Sequence, residues 1–257
     1  MTNTTTNAMT GAPTTDARHA GTATAPPMLQ VRDLHAWYDE SHVLHSMTFE
    51  VAAGETVTLL GRNGAGKTTT LKSIMSILPT RTGSIMLQGR ETIGLAARAI
   101  ARLGVGYVPE ERGIYSKLSV EENLFLPPQV RPAQLSLAEI FDLFPNLRER
   151  LKSPGNRLSG GEQQMLAIAR VLRTGAPLLL LDEPTEGLAP VIIDQIGRAI
   201  AMLKRAGLTI VLVEQNFRFA ASVADRHYVV EQGQVIDMIP NAERERHAAK
   251  LQKYLGI

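Results

Sequence analysis

The sequence contains no cysteine among its 257 residues. This absence excludes disulfide bonds and thiolate metal sites, and it is typical of proteins in a reducing compartment such as the cytoplasm. Long apolar runs are also missing, since stretches such as Leu178–Leu181 and Ile210–Val213 are far shorter than the roughly 20 residues of a spanning helix. We therefore expect that the chain does not cross a bilayer.

A strong excess of one charge is missing as well. The 27 Lys and Arg residues nearly balance the 25 Asp and Glu residues, leaving a formal net charge of +2. Nucleic-acid-binding domains usually carry a pronounced basic surface, so we expect no nucleic-acid partner. With 44% apolar residues, the chain can bury one large α/β core with a smaller lobe.

Large apolar side chains are scarce in residues 1–27, which are rich in Thr, Ala and Gly. Such a segment gains too little from burial to offset the entropy of ordering, so it is predicted to be a disordered tail. It lacks a basic start followed by an apolar run, so a secretory signal is not expected. The folded domain is predicted to cover residues 28–257.

The first half of that domain changes from strand to helix patterns. Residues 28–51 alternate between apolar and polar side chains and predict an antiparallel edge sheet. A β-branched strand at 55–60 runs into a glycine-rich turn and then a helical pattern at 69–77. Residues of about 91–157 are mostly helical in spacing and are interrupted by prolines, which predicts a helical subdomain.

The second half alternates strands and helices. Strand patterns at 178–181, 208–213 and 228–230 enclose a helix near 191–206, and residues 242–254 read as a charged amphipathic helix. This order favours a mostly parallel sheet covered on both faces. The predicted fold class is α/β, with a mostly parallel core sheet, an antiparallel β edge and a helical subdomain.

The turn after the 55–60 strand fits the pattern G-x-x-x-x-G-K-[ST], which binds phosphates when a strand precedes it and a helix follows. Its glycines let backbone amides turn toward a polyphosphate at the positive end of a helix. Lys67 would add a point charge for the terminal phosphates, and the Thr68 hydroxyl would bind Mg²⁺. A glycine-rich turn with a chance lysine is the alternative, and the strand–turn–helix context disfavours it. The predicted ATP contacts in this segment are Gly61, Arg62, Asn63, Gly64, Ala65, Gly66, Lys67, Thr68 and Thr69.

The strand Leu178–Leu181 ends in two acids, Asp182 and Glu183. Buried strands of α/β sheets present ligand-binding groups at their carboxyl ends. Asp182 would hold Mg²⁺ through its water shell, and Glu183 would orient or deprotonate an attacking water. Taken alone, this pair could instead begin a solvated turn; the phosphate-binding turn upstream makes that alternative weak.

A second glycine motif opens a helix at Leu158-Ser-Gly-Gly-Glu-Gln163. Ser159 and Glu162 form an S-x-x-E capping box, so a well-capped helix is the simple interpretation. Two glycines in a first turn nevertheless cost about 1 kcal/mol each relative to alanine, unless close approach to a ligand requires them. Because this is another helix N-terminus, a phosphate is the expected ligand.

These motifs in this order, the phosphate loop, LSGGEQ at 158–163 and LLLLDEP at 178–184, resemble the nucleotide-binding domain of ABC transporters, a P-loop NTPase family. The resemblance covers residues 28–257 and implies a Mg²⁺-dependent ATPase. It also implies a head-to-tail dimer, in which the signature of one subunit covers the ATP held by the other. The signature residues that would contact ATP in trans are Ser159, Gly160, Gly161, Glu162 and Gln163.

The resemblance implies further roles. Tyr38 matches the aromatic residue that stacks on adenine, although Trp37 is a rival and either ring could be ordinary packing. Glu110 stands where the family usually has a Gln that contacts the metal. Gln215 replaces the usual catalytic His, and it can form hydrogen bonds but cannot carry an imidazolium charge. Hydrolysis would then be slower or differently gated.

Several short segments resemble one branch of the family, namely VPE at 108–110, LSVEENL at 118–124, DEP-x-x-GLAP at 182–190, VEQN at 213–216 and YLG at 254–256. That branch is the shorter ATPase of branched-chain amino acid importers and of related urea and short-amide importers. It implies a second, different ATPase subunit, two transmembrane permeases and an external solute-binding protein. The chain would then be peripheral at the cytoplasmic face of the cell membrane.

Some alternatives remain open at this point. Residues 111–122 would grip the permease, or they are only a solvated helix start. The basic terminal helix would face lipid headgroups, or it is simply solvated. The whole chain could also be a soluble ABC ATPase of translation or DNA repair, but it lacks the fused second cassette or long coiled-coil insertion of those proteins. A regulator with little turnover fits Gln215 but not Glu183.

Overall fold

The computed structural model describes Met1 and residues 26–255. The predicted disordered tail therefore lies mostly outside the described residues, as does Gly256 of the YLG motif. Within the described part of the chain, no helix is long and apolar enough to span a membrane.

Strands and helices are numbered in chain order. The strands are β1 (Leu29–Tyr38), β2 (Ser41–Val51), β3 (Thr56–Leu60), β4 (Arg81–Leu87), β5 (Arg90–Glu91), β6 (Val105–Val108), β7 (Leu178–Asp182), β8 (Thr209–Glu214), β9 (Arg226–Glu231) and β10 (Gln234–Pro240). The α-helices are α1 (Lys67–Ile74), α2 (Ala97–Arg102), α3 (Val120–Phe125), α4 (Leu137–Leu143), α5 (Pro145–Glu149), α6 (Gly160–Leu172), α7 (Pro190–Arg205), α8 (Phe217–Val223) and α9 (Ala248–Leu255).

A six-stranded sheet forms the core, in the order β10-β9-β3-β8-β7-β6. All neighbours pair in parallel except β9 and β10, which form an antiparallel edge. Along β7, Leu178 and Leu180 pack in one apolar cluster while Leu179 and Leu181 pack in another. Both faces of the sheet are thus covered, which explains the continuous apolar run and confirms the predicted fold class.

A second sheet is antiparallel, in the order β2-β1-β4-β5. The pairing of β1 with β2, which sets Leu29 opposite Val51, confirms the antiparallel strands predicted for residues 28–51. The strands β4 and β5 were not predicted. The alternating burial of β1 places one face of this sheet on the core, where Leu29, Val31 and Leu34 are fully buried.

The mostly helical interpretation of residues of about 91–157 was wrong at one element, because β6 is an edge strand of the core sheet and pairs in parallel with β7. Its Gly106 allows close packing, since a Cβ there would lie 2.2 Å from the Val171 side chain. Beyond β6 the segment is helical, and Pro145 at the first position of α5 separates this helix from α4. The boundaries of a helical subdomain at about 91–157 stay a prediction.

The helix predicted at 242–254 begins later than expected. Asn241–Glu243 form a short 3-10 turn, and α9 starts only at Ala248. The chain also forms α8 and β10 in the last quarter, two elements that the sequence patterns did not reveal. The carboxyl ends of β3, β7 and β8 lie side by side, and this edge of the sheet carries the functional site.

Candidate functional site

A cavity of about 270 Å³ lies where the loop between β3 and α1 meets the ends of β7 and β8. The loop and the start of α1 line one side with Asn63, Gly64, Ala65, Gly66, Lys67, Thr68 and Thr69. The facing wall consists of Val43, Glu110, Glu183, Glu186 and Gln215. The fold therefore joins the predicted phosphate loop, the predicted base and the two departures from the family pattern around one cavity.

The loop conformation depends on two glycines for different reasons. A Cβ on Gly61 would lie 2.3 Å from the backbone oxygen of Val230, so strand β9 leaves no space for a side chain. Gly66 has a φ of +106°, a left-handed conformation that L side chains rarely adopt. Because this glycine immediately precedes α1, the first amides of the helix point into the cavity.

Lys67 lies buried at the base of the cavity with only 4% of its surface exposed. Its ammonium group donates hydrogen bonds to the carbonyl oxygens of Gly61 at 2.9 Å and Arg62 at 3.2 Å. The same nitrogen is 3.4 Å from Glu183 Oε1. A buried ammonium held by two carbonyls and a carboxylate is oriented for a further anion, which agrees with the predicted phosphate-binding role.

Glu183 follows β7 in a left-handed conformation with φ of +44°. Backbone strain of this kind is concentrated at functional sites. The turn directs its carboxylate between Lys67 and Gln215, whose side-chain amide donates to Glu183 Oε2 at 2.7 Å. Hydrogen bonding to Glu183 and burial both raise the pKa of the neighbouring Glu186. The turn after β7 therefore places the carboxyl groups of Glu183 and Glu186 in contact at the cavity wall.

Asp182 is fully buried at the end of β7. It accepts hydrogen bonds from the Thr68 hydroxyl at 2.9 Å and from the Tyr107 hydroxyl at 3.0 Å. Burial raises the pKa of Asp182, while these two donors act in the opposite direction. Burial, together with the neighbouring Asp182 carboxylate, strongly raises the pKa of Tyr107. The tyrosine therefore stays a neutral donor that fixes the Asp182 side chain.

Thr68 and Asp182 carry oxygen donors suited to Mg²⁺. Their side-chain oxygens are in direct contact, and hydroxyl and carboxylate oxygens are ligands that Mg²⁺ accepts in nucleotide sites. Glu110 is exposed on the cavity wall. Among the described residues, no cluster of three or more His, Cys, Asp or Glu side chains could hold a metal by itself. A metal here would therefore rely on water and phosphate oxygens for most of its ligands.

The signature helix α6 lies away from this cavity, and none of Ser159, Gly160, Gly161, Glu162 and Gln163 lines it. The capping box is confirmed, because Ser159 Oγ accepts from the Glu162 amide and Glu162 accepts from the Ser159 amide. A Cβ on Gly160 would lie 3.3 Å from the Arg112 guanidinium, which also donates to Gln163. Part of the need for glycine therefore comes from packing within the chain.

Trp37 and Tyr38 differ in their surroundings. Trp37 stacks on His42, with ring centroids 4.4 Å apart and nearly parallel planes. Tyr38 lies at the last position of β1 with 42% of its surface exposed, and it does not line the phosphate cavity. Trp37 is thus part of the sheet packing, and Tyr38 is the ring with an accessible face. Adenine stacking on Tyr38 stays a prediction.

Sequence reasoning did not single out Tyr107, Thr185 or Glu214. Tyr107 and Asp182 meet because β6 and β7 are parallel neighbours. Thr185 donates to the buried Glu214 across adjacent strand ends at 2.8 Å. These contacts join residues up to 75 positions apart, so a local pattern could not reveal them. The sequence feature that could have identified the residues at these strand ends is the run of polar residues directly after β7 and β8.

A phosphate-binding loop between a buried strand and a helix, facing acids at the next strand ends of a mostly parallel sheet, defines a P-loop nucleotide-binding domain. A sequence profile described as ABC transporter matches residues 44–186. The chain belongs to the ABC transporter family and is one of its ATP-binding, ATP-hydrolysing subunits.

Individual relatives support the same family assignment. The chain is 43% identical over 212 residues to the high-affinity branched-chain amino acid transport ATP-binding protein BraG of Pseudomonas aeruginosa, covering 81% of this chain and 91% of BraG. It is 36% identical over 214 residues to the lipopolysaccharide export system ATP-binding protein LptB of Escherichia coli K12, covering 81% and 88%. A solved structure described as an ATP-binding subunit of an ABC transporter is 30% identical, with a TM-score of 0.75, covering 90% of this chain and all of that one.

Proposed function

We propose that this chain is the ATPase subunit that energises an importer of branched-chain amino acids. The single observation that carries the solute class is the 43% identity with BraG, which exceeds the 36% identity with LptB over an equally long alignment. The segments VPE, LSVEENL and VEQN support the same branch. A urea or short-amide importer is the nearest alternative, because an ATPase subunit has no contact with the solute.

In the proposed mechanism the amides of residues 61–68 and the Lys67 ammonium hold the triphosphate. Glu183 accepts a proton from the attacking water or orients it, and Gln215 fixes the Glu183 carboxylate. The hydrogen bond between Gln215 and Glu183 and the buried position of Lys67 support these assignments. A Gln at position 215 supplies a neutral donor near the γ-phosphate, where a His could supply a charged one.

Mg²⁺ is part of the proposal. Thr68 Oγ1 and Asp182 would hold the ion, with Glu110 at the cavity wall as a further contact, and the ion would neutralise charge on the phosphates. The Tyr107 hydroxyl donates to Asp182 and so keeps its carboxylate aimed at Thr68.

The signature residues 159–163 act on a second subunit. Within one chain they lie outside the phosphate cavity, and that separation supports contact with ATP in trans. We infer a head-to-tail pair with a different ATPase subunit, giving two composite sites. Glu186, in the turn after β7, lines the cavity, a position that suits a loop at the subunit interface.

A groove of about 620 Å³ supports the proposed contact with the permeases. It lies between α2 and the segment that follows β6, and its lining includes Arg98, Tyr107, Tyr115, Leu126 and Arg170. Tyr115 and Leu126 are about half exposed. The groove is mostly apolar, which suits a short amphipathic helix of a membrane partner. The chain would thus be peripheral at the cytoplasmic face, with two permeases and indirectly an external binding protein.

Uptake assays test the solute class. A strain in which this chain's gene is deleted should lose uptake of labelled leucine and keep uptake of labelled urea, and the wild-type chain should restore leucine uptake while Lys67→Ala should not. Loss of urea uptake alone would favour the alternative importer. Retained leucine uptake with defective lipopolysaccharide export would replace the importer with an export system.

A further inference from the structure

Glu214, the last residue of β8, is a buried acid with no role in the mechanism above. Only 2% of its surface is exposed, and it makes no ion pair with a cation among the described residues. A buried carboxylate without a cation is costly to keep charged. Because the fold keeps this acid at the edge of the ATPase site, its hydrogen-bond partners indicate what it does there.

Glu214 joins the two turns that carry the reacting side chains. The Thr185 hydroxyl, two residues after Glu183, donates to Glu214 Oε1 at 2.8 Å. The amide of Asn216, one residue after Gln215, donates to Glu214 Oε2 at 3.3 Å. Both turns therefore hold the same carboxyl group. A shift of either turn would change the contact between Gln215 and Glu183, which is 2.7 Å.

The charged group that acts on Glu214 is the carboxylate of Glu183, in the turn after β7. Lys67 on α1 is paired with Glu183, and Arg218 on α8 is exposed. The neighbouring strand β3 contributes the apolar Leu60 opposite Glu214. Burial raises the pKa of Glu214 to about 7, with a further contribution from Glu183, although donors from Thr185 and Asn216 oppose the shift.

We propose that Glu214 is a positioning residue of the ATPase site and that it takes up a proton when the triphosphate binds. The argument rests on the proposed function, because the triphosphate must enter the cavity beside Gln215. Negative charge arriving there makes ionised Glu214 less favourable, so its protonated form gains population. Binding and protonation are reciprocal, so ATP binds more tightly as the pH falls through neutrality.

Two variants distinguish the ionisation of Glu214 from its hydrogen bond with Thr185. Glu214→Gln keeps an oxygen that accepts from Thr185 but cannot titrate, so it should lose the pH dependence of ATP affinity. Thr185→Val removes the link between the turns and leaves an acid at position 214. It should lower kcat by about tenfold or more with a smaller change in KM. Glu149→Gln, on an exposed surface of α5, is the matched control and should behave as the wild type.

Proton uptake is measured by titrating the full-length chain with the non-hydrolysable analogue Mg·AMP-PNP at pH 7, in buffers with different ionisation enthalpies. The wild type and Glu149→Gln should take up on the order of 0.5 proton per bound nucleotide, whereas Glu214→Gln should take up almost none. Equal uptake by the wild type and Glu214→Gln, or no uptake by the wild type, would overturn the proposal while nucleotide binding still holds. Loss of binding in every chain would instead contradict the proposed function.

Discussion

The side-chain amide of Gln215 donates a 2.7 Å hydrogen bond to the carboxylate of Glu183. The two residues follow neighbouring parallel strands, and the left-handed backbone of Glu183 aims its side chain at this contact. On its other side the same carboxylate is 3.4 Å from the ammonium of Lys67. Glu183 is thus held between a neutral donor and a cation, which fixes the orientation of its carboxylate.

Replacing Gln215 tests whether the site requires a neutral hydrogen-bond donor beside Glu183. Gln215→His should leave ATPase activity unchanged or raise it by up to about tenfold, because imidazole can also reach Glu183 and can carry a charge toward the phosphates. Steady-state phosphate release at saturating ATP measures this effect. A collapse of the rate would mean that the amide of Gln215 makes a specific contact that an imidazole cannot reproduce.

Replacing Lys67 tests the phosphate loop. Lys67→Ala should weaken ATP binding by about 10- to 100-fold, because it removes a charge-assisted hydrogen bond and leaves Glu183 without its cation. Equilibrium binding of a fluorescent ATP analogue gives the affinity. Lys152→Ala, which removes an exposed ammonium paired with Glu121, is the control and should bind normally. Unchanged affinity in Lys67→Ala would contradict the predicted loop.

The packing of Gly61 gives a stability prediction. Gly61→Ala should lower the free energy of unfolding by about 1–3 kcal/mol, because its methyl group would approach the Val230 carbonyl oxygen to 2.3 Å. Gly94→Ala is the matched control, since nothing lies within 4 Å of a Cβ at that position. Denaturant unfolding of both variants measures the difference. Equal stabilities would show that β9 moves freely away from the loop.

The buried Glu214 predicts how stability varies with pH. Its folded-state pKa of about 7 lies above its ordinary value of 4.5. Between pH 4.5 and about 7 the folded state therefore binds a proton that the unfolded state has released. This contribution is fully present below pH 4.5 and is lost as the pH rises through about 7, on the order of 3 kcal/mol in all. Glu214→Gln should flatten the pH dependence of thermal unfolding over that window. Identical pH dependence in the wild type and the variant would show that Glu214 does not ionise with this pKa.

The local parts of the site could be predicted from the sequence because their chemistry is contiguous. The phosphate loop from Gly61 to Thr68, the acids after β7 and the Ser159 capping box each lie within one short segment. The apolar run Leu178–Leu181 predicted a doubly covered strand for the same reason. A solvated-turn interpretation explains the phosphate loop or the acids after β7 alone, but not their convergence on one sheet edge.

The remaining parts depend on contacts between distant segments. The strand β6 contains only four residues, and its Gly106 fits a space set by Val171, so no periodic pattern marks it. The contacts of Tyr107 with Asp182 and of Thr185 with Glu214 follow from the order of parallel strands. That order is not readable from one sequence. The placement of Trp37 against His42 likewise depends on the pairing of β1 with β2.

Nucleotide trapping by Glu183→Gln tests the central claim most directly. The variant is expressed with its cognate partner subunits, supplied with Mg·ATP, and examined for bound nucleotide, turnover and assembly mass. Turnover should fall by about 100- to 10,000-fold, while intact ATP stays bound in a complex that contains two ATPase chains. Normal hydrolysis, or a complex that neither retains ATP nor pairs its ATPase chains, would contradict a triphosphate held at Lys67 and covered by a second subunit.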